Sequence, residues 1–213
     1  PSASHAGGRK ARRALESARA QVAGLAGAAS PEEILFTSGA TESLNTVHHS
    51  AWQILGATRP LLVTTAVEHA ATQACAGRWR SLGGRVKTVP VTPEGLLDLE
   101  ALRQAVEPGL TALVSVLGAN NETGVIQPMR EISAIAHEAG ALVHADAVQM
   151  PGRVAFHAGE SGADYLSLSA HKMHGVKGCG ALYVSRHAPF FPFMVGGGQE
   201  RERRSGTENV PGA

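Results

Sequence analysis

Seven short β-forming runs separated by stretches of helical character constrain this chain more than any other feature. The runs fall at 34–37, 61–65, 86–91, 112–116, 141–144, 165–168 and 180–184. Between them, helical patterns are expected at roughly 7–27, 40–56, 69–82, 98–107 and 129–139. Strands apolar on both faces must be covered on both sides. The pattern therefore predicts a three-layer α/β/α fold with a mostly parallel sheet. In such sheets ligands gather beyond the carboxyl ends of the strands, and the polar motifs of this chain fall there.

At 213 residues, with 43% hydrophobic and 17% charged, the chain is long enough to bury a sizeable core and reads most simply as one domain over 1–213. A formal net charge of +1, with only Arg201, Arg203 and Arg204 clustered, argues against a dedicated nucleic-acid surface. The apolar runs fall far short of the ~20 residues that cross a bilayer, and no charged region leads into an apolar one at the start, so no membrane role is expected. Cys75 and Cys179 are too few and too isolated for a disulfide framework or a zinc ribbon, which leaves a cytoplasmic, reducing setting as the expectation.

The chemistry-bearing residues sit at the strand exits. Ser169-Ala170-His171-Lys172 follows an apolar run and leads into the glycines around Gly175 and Gly178, so Lys172 reads as a reactive amine held at a strand end. His144-Ala145-Asp146, with Gln149 beyond it, ends the preceding run. A lysine that can condense with an aldehyde, near an acid that can keep a pyridine nitrogen protonated, suggests pyridoxal phosphate (PLP). Thr37-Ser38-Gly39-Ala40-Thr41-Glu42-Ser43 closes a strand and opens a helix, as a phosphate site does; it also reads as an ordinary Ser/Thr helix cap. His69 after Glu68 could stack on an aromatic cofactor or move protons, or simply begin a helix. Asn120-Asn121-Glu122-Thr123-Gly124 offers side-chain amides but also common turn residues. His144, Asp146, His171, His174 and Cys179 would together allow a metal site, against which Lys172 would repel the cation.

In their order along the chain, these motifs and Gly196-Gly197-Gly198-Gln199-Glu200 through Gly206-Thr207-Glu208-Asn209 resemble the cysteine desulfurase and selenocysteine lyase family, fold-type I PLP enzymes related to class-V aminotransferases. The similarity spans the chain from Pro1-Ser2-Ala3-Ser4-His5 onward. The resemblance implies that Lys172 forms the Schiff base, Asp146 pairs with the pyridinium nitrogen, and His69 stacks on the ring and assists proton transfer. It further implies that Thr41, Ser169, His171 and the backbone around Ala40 hold the phosphate, and that Asn121 and Gln149 contact the phenolic oxygen. Thr207 would reach the phosphate of a partner subunit, making a homodimer with composite sites. The implied reaction converts L-cysteine to L-alanine, leaving a protein persulfide for a sulfur acceptor such as an iron-sulfur scaffold.

Family members are longer, with an N-terminal segment and a C-terminal small domain that carries the persulfide cysteine and a substrate-binding arginine. Against that pattern the chain reads as the large PLP-binding domain. Cys75, on a helix, and Cys179, in a rigid turn, are expected to pack rather than to carry sulfur. Val176 stands where the family usually has proline. Selenocysteine lyase, a non-catalytic PLP-binding scaffold and a metal-dependent hydrolase using His144, Asp146 and His171 are the alternatives open at this point.

Overall fold

The computed structural model describes residues 5–213; the Pro1–Ser4 part of the resemblance lies outside them. One seven-stranded sheet forms the centre, with strands β1 (Ile34–Thr37), β2 (Leu61–Thr65), β3 (Arg85–Val89), β4 (Thr111–Leu117), β5 (Leu142–Asp146), β6 (Tyr165–Ser169) and β7 (Gly180–Val184) in the order β1-β7-β6-β5-β4-β2-β3. All neighbouring pairs are parallel except those made by β7, which runs antiparallel to both β6 and β1. The other six strands therefore point the same way, and their carboxyl ends share one edge.

Helices α1 (Ala6–Ala26), α4 (Leu99–Ala105), α5 (Met129–Glu138) and the short α6 (Ala158–Ser161) cover one face; α2 (Ala40–Leu55) and α3 (Ala70–Ser81) cover the other. Strand alternation divides the core accordingly. Val63, Val114, Val143 and Leu166 face the first layer, and Leu62, Leu113, Tyr165 and Leu182 face the second with Trp79 and Val47. All are buried, as the α/β/α expectation requires.

Local chemistry sets the element ends. α1 begins where the His5 ring accepts a hydrogen bond from Gly8 N and stops at Gly27, which adopts the left-handed conformation. Asp98 caps α4 by accepting from the amides of Glu100 and Ala101. β3 ends before Pro90, which lacks an N–H for the ladder, so the expected run 86–91 begins and ends earlier at Arg85–Val89.

The entry to β7 brings two functional loops together. Gly180 pairs in register with Thr37 at the end of β1 and with Ser169 at the end of β6. A Cβ at Gly180 would lie 2.6 Å from Gly39 Cα and 2.7 Å from Leu168 O, both backbone atoms that cannot swing aside. Gly180→Ala is therefore expected to destabilise the protein by about 1–3 kcal/mol through overpacking, read as a lower denaturant midpoint with an unchanged slope.

Candidate functional site

At the shared carboxyl edge lies a cleft of about 480 Å³ whose lining includes Ala40, Thr41, His69, Asn121, Asp146, Gln149, Ser169, His171 and Lys172. Nine of the ten residues singled out from the sequence thus meet at one place. The tenth, Thr207, lies outside, in an adjoining groove that shares Ser38 and Gly178 with the cleft.

One wall is the N-terminus of α2. Gly39 occupies the cap position at φ 149°, a conformation that favours glycine, and no side chain caps the helix. Glu42 instead folds back to accept from Ser38 N at 2.8 Å and receives Arg204 Nε and Nη2 at 2.8 and 3.1 Å. Burial opposes ionisation of Glu42, but Arg204 and Ser38 prevail and hold its carboxyl below the usual range. The first-turn amides of α2, beside the Thr41 hydroxyl, are thereby left for an anion.

The opposite wall is the 3-10 turn Ala170–Met173 that leaves β6. Ser169 Oγ bonds His171 Nδ1 at 2.9 Å, beside the α2 terminus: a Cβ on Gly39 would lie 3.8 Å from that hydroxyl. The Lys172 amine has no hydrogen-bond or ion-pair partner among the described residues and lines the cleft. Arg153, to which the sequence reading gives no part, bonds the Lys172 carbonyl at 3.0 Å and the Gln149 side-chain oxygen, bracing the lysine turn against the residues that follow β5. Lys177 lines the cleft as well; only its place in the glycine-rich stretch after Lys172 could have signalled it.

Asp146 and His69 complete the floor. Asp146 is 4% exposed; its Oδ1 accepts from Val148 N at 3.2 Å, and burial raises its pKa while that bond and His69 lower it. His69 caps α3, its Nδ1 accepting from Ala71 N at 3.1 Å, which assigns the neutral ring's proton to Nε2. Asn120 serves the turn itself: its Oδ1 accepts from the amides of Glu122 and Thr123, and its Nδ2 donates to Val67 O. Asn121 is the one of the pair that lines the cleft.

Beneath the floor runs a closed polar ladder. His144 is fully buried, with Nδ1 bonded to Ser115 Oγ and Nε2 to Ser167 Oγ, each at 2.9 Å. Both ring nitrogens are thus committed, which removes His144 from the metal set considered above; among the described residues no group of three metal-ligating side chains comes together. The thiols are also withdrawn: burial pushes Cys75 up to about 11 and raises Cys179.

One cleft at the carboxyl edge of an open α/β sheet thus gathers a lysine, a buried acid and an uncapped helix terminus. The sequence matches the class-V aminotransferases over residues 1–213, and the chain belongs to that family. It is 49% identical to a cysteine desulfurase of Gluconacetobacter diazotrophicus over 99% of this chain and 52% of that protein. It is 48% identical to one from Cereibacter sphaeroides over 100% of this chain and 54% of the other. A solved NifS-like protein superposes with a TM-score of 0.96 at 42% identity, covering all of this chain and 58% of that one. The chain thus spans about half the length of the curated relatives it matches.

The buried histidines set an acid limit on the fold. Burial lowers His48 from 6.5 to about 4, and burial with the nearby His48 lowers His144 well below 6.5. Below 6.5 the unfolded chain takes up protons that the folded one refuses, so stability is lost as pH falls from that point. His48→Phe should reduce this acid loss, measured as the shift of the urea midpoint between neutral pH and the value where His48 itself titrates.

Proposed function

We propose that the chain is the PLP-binding large domain of a cysteine desulfurase. The observation that carries this reading is the free Lys172 amine, the buried Asp146 carboxylate and the uncapped α2 terminus around a single cleft, in a chain with curated cysteine desulfurases as close relatives. PLP fits these residues: α2 offers amides to an anion, and Asp146, in a nearly closed site with one backbone bond, suits a cationic partner that would favour its carboxylate form. When bound, PLP supplies an aldehyde carbon that captures amines and a ring that accepts electrons from the substrate Cα.

Each side chain then has a defined task. Ala40 N, Thr41, Ser169 and His171 would hold the phosphate; Asp146 would keep the ring nitrogen protonated; Asn121 and Gln149 would hold the phenolic oxygen. Lys172 would take up and return a proton at the substrate Cα. His69, with Nε2–H available, stacks on the ring and moves a proton at the substrate. L-Cysteine and an acceptor thiol yield L-alanine and a persulfide on that acceptor, so sulfur leaves carbon for sulfur and the substrate Cβ gains a proton. With both thiols buried and raised, Cys75 and Cys179 are poorly placed as acceptors, and we assign that role to a cysteine elsewhere in the full-length protein. Support for cysteine rather than selenocysteine comes from the names of the relatives and from a structural neighbour titled as SspA in complex with cysteine, with a TM-score of 0.93 at 36% identity.

Placement of Thr207 outside its own cleft suits a role toward a second copy, and we propose a homodimer on that basis. Delivery to an iron-sulfur scaffold in the cytoplasm completes the proposal. Two free, unpaired cysteines suit that compartment, and no described helix is long and apolar enough to cross a membrane.

The full-length protein should be yellow with PLP, lose its visible band on borohydride reduction, and carry the reduced adduct on Lys172. Lys172→Ala should abolish the adduct and cut alanine release from cysteine by at least roughly two orders of magnitude. An adduct on Lys177, or unchanged alanine release, would refute the assignment.

A further inference from the structure

Glu68 precedes His69 and is 6% exposed, yet nothing in the proposed chemistry uses it. Its Oε1 accepts from Thr65 Oγ1 at 2.6 Å, at the end of β2, and from Leu117 N at 2.9 Å, at the end of β4. Leu117 is the register partner of Asp146, so this carboxyl ties the loop that delivers His69 to the strand beside the cleft's buried acid. Two further bonds hold the same loop: Asn120 Nδ2 to Val67 O, and Gln73 Nε2 to Glu68 O.

The other carboxyl oxygen behaves differently. Glu68 Oε2 is buried without a hydrogen-bond partner, as is Thr72 Oγ1 in the first turn of α3. Among the described residues no cation offsets a charge on Glu68. β2 contributes Thr65 and β4 a backbone amide; α3 contributes Thr72; β5 contributes Asp146, a like charge; His69 on the same loop is turned to its own helix cap. A carboxylate with no cation in such a place carries a large desolvation cost.

We propose that Glu68 is a positioning residue of this site: a neutral carboxylic acid whose Oε1 fastens the His69 loop to β4 and which leaves Asp146 as the anion of the cleft floor. The claim about Asp146 rests on the PLP reading; the neutrality and the tie do not. Burial, with Asp146 adding to it, outweighs the opposing influence of Thr65, Leu117 and Thr72 and pushes Glu68 from 4.5 up to about 8, in line with this geometry. Were Glu68 ionised, the like charge would raise Asp146 further.

The sign of the linkage gives the test. Between 4.5 and about 8, folded protein retains a proton on Glu68 that the unfolded chain has lost, so this residue's contribution to stability declines as pH rises through that window. Urea unfolding of the full-length protein, with and without added PLP, is compared for wild type and Glu68→Gln, whose amide replaces the acid O–H with an N–H donor. The wild type should lose stability relative to Glu68→Gln across the window with a slope of about one proton, in the absence of PLP as well as in its presence. Parallel pH curves without PLP would overturn the proposal, whatever the outcome for PLP. Glu68→Ala should weaken PLP binding at least about tenfold while Glu68→Gln restores it, since Gln keeps the oxygen that makes the tie and Ala removes it. Equal weakening by both would overturn the positioning role, and failure of PLP to bind any form while the slope persists would refute the cofactor reading instead.

Discussion

The meeting of three chain segments at Gly180 is the constraint on which this site depends. β7 enters the sheet between β1 and β6, and its first residue is in register with the last residue of each. The loop that opens α2 and the Lys172 turn thereby leave the sheet side by side, although they are more than a hundred residues apart in the chain. The approach is possible because position 180 has no Cβ, and Gly39 lies within the space one would fill. β5 lies next to β6, and its terminal Asp146 forms the floor between the two walls.

Charge at the floor is arranged by keeping its neighbours neutral. His144 is held between two serine hydroxyls and is denied a proton by burial; His48 beside it is lowered to about 4. Glu68 approaches Asp146 from β2 with its own carboxyl raised by burial. On the proposed reading, Asp146 is the carboxylate of the cleft that meets a cationic ring, while Glu42 at the wall is spent on Arg204. A partly enclosed, low-dielectric cleft makes that single charge count for more than it would in water.

Much of this was legible in the sequence because parallel sheets write their interior as apolar runs and their ligand edge as polar residues after them. All seven strands lie within two residues of the expected runs, and the five helices match as closely. Local signals were too weak for α6, a four-residue helix with no side-chain cap. The antiparallel direction of β7 was illegible too, since an apolar run of five residues reads the same either way. Long-range ion pairs lie outside any local pattern. Arg19 on α1 makes a two-pronged pair with Glu200 at 2.7 and 2.8 Å across 181 positions, and Arg204 finds Glu42 across 162. These pairs fix the segment that carries Thr207, and they hold Glu200, Arg201 and Glu202 in consecutive left-handed conformations that no sequence rule predicts for such residues. Asn121 and Gln149 were placed by resemblance alone, and their positions on the cleft follow from the Asx turn made by Asn120 and the brace made by Arg153.

The central claim is that one cleft at the carboxyl edge receives PLP with its phosphate at the start of α2 and its ring nitrogen at Asp146. A crystal structure of the full-length protein grown with PLP tests it most directly. The account predicts phosphate oxygens on the amides of Ala40 and Thr41, with the pyridine nitrogen against the Asp146 carboxylate. A cofactor seated elsewhere, or bound here with its ring nitrogen turned away from Asp146, would contradict it.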